Sequence, residues 1–192
     1  MLRAALFFTL LSPALLLVWQ LLTHRLGANP VEALTHETGK WALICLLVSL
    51  SHTPLKNLFN WKKVMRYRRM TGLYAYFYVC LHFCIYWVFD QSLSLAYVWD
   101  DILDRPYITL GFCAWLLLTP LAITSTKNMR RRLGHRWLSL HKLIYVIGIL
   151  AIAHYIWLIR ADYAEVVIYT LWLALVLGHR LYLFALKDPI RH

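Results

Sequence analysis

Nine histidines are spread through a chain dominated by apolar residues, and two of them, His82 and His154, sit deep inside uncharged runs. Ionisable side chains at such depth in an apolar segment are costly and usually mark function. His82 lies 12 residues after Met70 and His154 lies 11 residues after Leu143. Helical rise therefore puts them roughly 18 and 17 Å along their segments, at nearly the same level. Two imidazoles at matched depth on facing helices can clamp one haem iron from both faces. Neutral imidazole suits iron, and a second axial ligand closes the site to oxygen and favours electron transfer. The same spacing also fits two unrelated histidines hydrogen-bonded to nearby carbonyls.

His141 stands 13 residues before His154, roughly 20 Å away along the same segment, so a second, inner haem on His141 is a further expectation. Counting back the same distance from His82 reaches Arg69 and Arg68 rather than a histidine. A guanidinium stays protonated and is a poor iron ligand; its ordinary work would be to pair with haem propionates or lipid phosphate. His141 beside Lys142 also reads as an interfacial histidine. His24, His135, His179 and His192 fall near loops or ends and read as solvated or interfacial side chains. Aromatic residues crowd the segment around His82 (Tyr74, Tyr76, Phe77, Tyr78, Phe83, Tyr86 and Trp87). Membrane packing and interfacial belts account for them, and some could flank a porphyrin.

The elements that position these residues follow from composition. Of 192 residues 61% are hydrophobic and only 15% charged, and the mean hydropathy is +0.57; a soluble domain would be more polar. A membrane helix needs about 20 apolar residues. The runs predict an all-α polytopic bundle of six transmembrane helices, over about 4–23, 36–55, 70–89, 106–126, 143–159 and 166–186, in a single domain 1–192. The first run is long for a signal peptide and shows no clear cleavage pattern, so it reads as retained. The net charge of +11 raises nucleic acid as a partner. The basic residues, however, fall in two short clusters between apolar runs, which is the pattern of cytoplasmic loops. Residues 56–69 and 127–142 carry six Lys or Arg each and no acid, whereas 90–105 holds Asp90, Asp100, Asp101 and Asp104 against Arg105. The basic loops are then cytoplasmic, both termini are cytoplasmic, and the acidic loop faces the other compartment. The basic loop 56–69 could also bind an anionic flavin phosphate. Cys45, Cys80, Cys84 and Cys113 all lie in apolar segments with no CxxC pair and read as small packing residues. No internal repeat is visible.

Four stretches carry a resemblance: GANPVEALTHETGKWAL (27–43), RRMTGLYAYFYVCLH (68–82), DRPYITLGFCAWLLLTPLAITST (104–126) and RRLGHRWLSLHKLIYVIGILAIAHYIW (131–157). The chain closely resembles the MsrQ (YedZ) family, haem-binding membrane subunits of methionine-sulfoxide reductase systems within the ferric-reductase-like transmembrane superfamily. The resemblance implies haem b, one or two, and a flavin (FMN). It implies electrons taken from the quinone pool or a cytoplasmic flavin reductase. They would pass across the bacterial inner membrane to MsrP, a periplasmic molybdopterin enzyme that reduces methionine sulfoxide in oxidised proteins. Carried over by motif, the haem histidines are His82, His141 and His154, and the arginine pair is Arg68 and Arg69; His36 also matches, without an assigned role. The superfamily's fuller pattern has two histidines on each of two helices, and this chain lacks one of the four. It has no G-x-G-x-x-G nucleotide loop, so the expected donor is a separate molecule or a flavin held at the inner face. Sulfoxide chemistry would belong to the partner. Two other readings are a stand-alone transmembrane ferric-chelate reductase and an anchoring subunit with no redox role.

Overall fold

A computed structural model describes residues 1–159 and 163–187. Those residues form helices and loops with no strand: α1 (Leu2–Leu22), α2 (Pro30–Leu58), α3 (Arg68–Ile85), α4 (Leu95–Asp104), α5 (Pro106–Ile123), α6 (Lys127–Leu133), α7 (His135–Leu140), α8 (Leu143–Leu158) and α9 (Ala164–Lys187). A short 3-10 turn, Lys62–Arg66, precedes α3, and a π-turn, Tyr86–Asp90, follows it. The bundle is built around two closely packed pairs, α2 with α3 and α5 with α8.

Five segments are long and apolar enough to cross a membrane: Leu2–Leu22, Arg68–Asp90, Pro106–Ile123, His135–Leu158 and Ala164–Leu186. Their outer faces carry large bare apolar side chains; Leu175, Leu181 and Phe184 of α9 are 74%, 69% and 69% exposed. Water would not tolerate such a surface, whereas lipid requires it. The second expected span is present as a helix but is not among the five. It begins earlier than the apolar run because Asn29 accepts a hydrogen bond from the Glu32 N–H, with Pro30 in the first turn. Glu32 enters the helix as a result, ahead of Glu37 and Lys40. Further along, α2 buries Ala42, Cys45, Leu46, Leu47 and Leu50 among its neighbours. A helix surrounded by protein does not need the uniform apolar surface that lipid demands.

Prolines open the helix ladder where partners close it again. Beside Pro13 the fully buried Tyr78 hydroxyl donates to Leu10 O (2.7 Å) and accepts from the Ala14 N–H (3.2 Å). Tyr74 likewise donates to Phe7 O at 2.9 Å. These tyrosines of the aromatic run therefore clamp α1 onto α3. Pro54 leaves Leu50 O without its usual donor, and Arg180 of α9 supplies one at 3.0 Å. At the other end of α9, Lys40 meets Glu165 at 2.7 Å, so α9 is tied to α2 at both ends.

The loops hold more structure than their composition predicts. The acidic stretch folds into α4, and Asp101 gathers it. Asp101 accepts from the Tyr86 hydroxyl (2.9 Å) and the Gln91 amide (2.7 Å) and pairs with Arg105 (3.3 Å). The second basic stretch forms α6 and α7. Cys45 is fully buried, while Cys84 is exposed on the outer surface; among the described residues all four thiols are free.

Candidate functional site

His82 on α3 and His154 on α8 face each other, with ring centres 6.3 Å apart and ring planes at 84°. Each ring is anchored in the same way. The His82 Nδ1–H donates to Thr35 O at 2.8 Å and the His154 Nδ1–H to Tyr107 O at 2.6 Å, and both acceptors lie 47 residues earlier. Four residues beyond each acceptor stands a glycine. A Cβ on Gly39 would come within 3.1 Å of the His82 ring, and one on Gly111 within 2.9 Å of His154 Nδ1. The pair α2–α3 and the pair α5–α8 thus hold one histidine each in one register. That is an internal repeat the amino-acid identities do not reveal.

A carbonyl can only accept, so each Nδ1 carries the proton and each Nε2 keeps its lone pair, the form in which imidazole binds metal. Among the described residues no three His, Cys, Asp or Glu side chains cluster as a metal site. Two imidazoles alone suit a metal whose remaining positions come from elsewhere. With metal–nitrogen distances of about 2.0 Å, two imidazoles on opposite faces of one metal have ring centres roughly 6–6.5 Å apart. The observed separation falls in that range.

Both rings line a cavity of about 560 Å³ enclosed by α2, α3, α4, α5 and α8, within the size range of cofactor sites. Leu43, Leu46, Val79, Ala114, Leu118 and Ala151 form apolar walls. Phe83, Phe112 and Trp115 add aromatic surface, with Phe83 stacked on Trp115 at 4.5 Å. The indole N–H of Trp115 is buried without an acceptor. Polar residues collect toward the acidic loop: His36, Lys40, Tyr86, Gln91 and Arg105. Asp101 beside Arg105 holds that guanidinium above its ordinary range, so it stays charged. A flat apolar macrocycle that carries a metal and acidic substituents would fit this set: apolar walls, two imidazoles 6.3 Å apart whose Nε2 atoms are free, and Lys40 and Arg105 at one rim.

The other candidates lie elsewhere. His141 sits in the turn between α7 and α8, its Nδ1–H donating to Trp137 O at 3.2 Å and its ring stacked on Trp137 at 3.9 Å. Arg68 and Arg69 open α3 at the same end, away from the cavity; Arg68 is half-buried and Arg69 exposed. No histidine faces His141 from α3. Instead His52 of α2, only 3% exposed, lies near this end, its Nδ1–H donating to Val48 O at 2.6 Å. Its position inside the apolar part of α2 was the available signal for His52. Lys40, Gln91 and Arg105 were likewise missed as cavity residues, because only the fold brings them to the rim. His24 and His135 are exposed, as expected for loop residues. His179 departs from that reading, since its Nε2 is buried with no partner. His192 lies outside the described residues.

The fold is an all-helical membrane bundle with two facing histidines in an apolar cavity, and the comparisons place it among known membrane components. A family model described as "Ferric reductase like transmembrane component" matches residues 38–152. A protein of Xanthomonas axonopodis pv. citri is 48% identical over 165 residues, covering 86% of this chain and 76% of its own length. One of Xanthomonas campestris pv. campestris is 44% identical over 198 residues, 99% and 91% of the two chains. One of Rhodospirillum rubrum is 46% identical over 183 residues, 93% and 86%. Each relative is named a protein-methionine-sulfoxide reductase heme-binding subunit MsrQ. No solved structure matches the chain. The chain belongs to the ferric-reductase-like transmembrane family, in its MsrQ branch.

Proposed function

We propose that this chain is a haem b electron-transfer subunit of the bacterial inner membrane. In this reading it carries electrons to a periplasmic molybdopterin methionine-sulfoxide reductase of the MsrP kind, which repairs oxidised proteins. The observation that carries the reading is the His82–His154 pair, 6.3 Å apart across an apolar cavity. The names of the relatives point the same way. The whole chain, 1–192, acts as one membrane domain of six spans with both termini in the cytoplasm. In it α2 is the sixth span, shielded from lipid by its neighbours.

His82 and His154 would hold the haem iron through Nε2, while Thr35 O and Tyr107 O fix the ring orientations and the tautomer. Gly39 and Gly111 leave room for the rings at their backs. Arg105 and Lys40, at the rim of the cavity, would face the acidic substituents of the haem. The bound haem supplies one-electron chemistry inside a low-dielectric bilayer. The apolar walls exclude water, and two imidazoles on one metal would close it to other ligands. Arg68 and Arg69 with His141 mark the end at which electrons enter, from quinone or from a cytoplasmic flavin reductase, with FMN as the flavin of the system. A second haem on His141 is the further element of this reading.

The test is a reduced-minus-oxidised spectrum of protein purified from haem-replete cells. A low-spin haem b signal that disappears in both H82A and H154A is expected. A colourless preparation, or full haem with an unchanged spectrum in both variants, would sink the proposal. Reoxidation of the reduced protein by a sulfoxide reductase supports the assigned partner. Reoxidation by ferric chelates alone would instead make the chain a stand-alone ferric-chelate reductase.

A further inference from the structure

Three polar side chains at the acidic end of the cavity arrive from separate places in the chain. Tyr86 begins the π-turn after α3, Gln91 caps that turn, and Arg105 joins α4 to α5. One residue that does not itself line the cavity holds all three. Oδ2 of Asp101 accepts from the Tyr86 hydroxyl at 2.9 Å and from the Gln91 amide at 2.7 Å, and Oδ1 lies 3.3 Å from Arg105 Nε.

The helical repeat selects Asp101 from its neighbours. It stands three residues after the buried Val98, on the face of α4 that turns to the bundle. On that face Val98 and Ile102 form part of the cavity wall. Asp100 and Asp104 turn outward and are exposed, whereas the Asp101 side chain is only 14% exposed. A carboxylate so far withdrawn from water is retained when it is hydrogen-bonded and paired. Asp101 is both, and each of its partners is a cavity residue.

We propose that Asp101 is a positioning residue of the haem site: it fixes Arg105, Tyr86 and Gln91 at the rim, and its charge offsets that of Arg105 and so lowers the midpoint potential. This rests on the reading of the cavity as a haem site. Reduction of a bound haem adds one negative charge inside the cavity, which a cation at the rim favours and an anion there opposes. The apolar walls screen neither effect as water would. Arg105 alone would leave the rim positive on the α4 side. With Asp101 behind it, the guanidinium keeps its place and its donors while most of its field is cancelled.

The experiment is a potentiometric titration, with dithionite and mediators, of the full-length haem-loaded protein in detergent, alongside its haem-to-protein ratio. D101N keeps the size of the side chain and an oxygen to accept from Tyr86 or Gln91, and removes only the charge. It should shift the reduction equilibrium at least threefold toward reduced haem. R105Q should shift it in the opposite direction, and R105Q/D101N should return close to wild type. D100N makes the same change of charge on the exposed face and should shift the equilibrium clearly less than D101N. A merely structural role would loosen the rim in D101N and R105Q alike, so shifts of the same sign in the two overturn the proposal. A D101N effect no larger than that of D100N overturns it too. If D101N alone fails to fold, R105Q and R105Q/D101N decide, because replacing both charges leaves neither unpaired. The double variant must then lie at the higher potential, and equal potentials overturn the proposal. Wild-type protein without haem overturns the haem reading and this proposal together, whereas haem at wild-type potential in D101N overturns this proposal alone.

Discussion

The two ends of this bundle solve the problem of buried polarity in opposite ways. At the cavity end the charges are matched: Lys40 has Glu165 and Glu37, and Arg105 has Asp101. Both histidines there spend their protons on backbone carbonyls and leave their lone pairs inside an apolar space. At the basic end, Arg180 donates only to neutral partners, and Arg68 makes no side-chain hydrogen bond or ion pair among the described residues. The cavity end has apolar walls and a rim whose charges are paired, a space that fits a flat cofactor. At the other end no carboxylate among the described residues pairs with Arg68 or Arg180. The contrast teaches that similar sequence signals, a lone buried His or Arg, acquire different partners depending on what the neighbouring helices bring.

The largest break in the contrast comes from the histidines. H82A and H154A should each lower haem occupancy more than tenfold, read from the haem-to-protein ratio, whereas R68Q should leave haem at the cavity end unchanged. Equal haem loss in R68Q would mean the two ends are not separate sites. A smaller effect is expected at the glycines. G111A drives a methyl group to 2.9 Å from His154 Nδ1 and must displace the ring or the helix, while G39A meets His82 at 3.1 Å. G111A should therefore alter the haem spectrum and midpoint potential more than G39A, and the reverse order would contradict the assigned ring environments.

Y78F removes the hydroxyl that bridges Leu10 O and the Ala14 N–H. It should cost about 0.6–1.5 kcal/mol in unfolding assays, with haem content intact. Loss of haem in Y78F would show that the α1 clamp, not only α2, α3, α5 and α8, shapes the cavity. The smallest effect belongs to E165Q. The Lys40–Glu165 pair is half-exposed and should contribute about 0–1 kcal/mol, falling with salt. A large salt-insensitive loss would indicate that the rim of the cavity is far less solvated than its exposure suggests.

Much of the fold was legible because lipid imposes strict rules. Five of the six expected apolar runs are helices long and apolar enough to cross a membrane; four keep within three residues of their expected ends, and the fifth, His135–Leu158, takes in α7 and starts eight residues early. The sixth, α2, was read too short: it starts at Pro30, capped by Asn29, rather than at 36, and so adds the exposed Glu32 to the Glu37 and Lys40 already expected within it. The helices α4, α6 and α7 were invisible as elements because they are short, ten, seven and six residues, well under the length of a membrane span.

His82 and His154 could be singled out from residue type and depth alone, because helical rise is constant and an ionisable group in an apolar run is rare. Type and depth could not say which way the rings face. That was decided by packing: α2 presents Thr35 O and Gly39 to one ring, and α5 presents Tyr107 O and Gly111 to the other. The same holds for the partners that complete each end. Lys40 and Arg180 are far in sequence from Glu165 and Leu50, which they adjoin. One-dimensional spacing reports height along a helix, and only the tertiary structure decides which faces meet at that height.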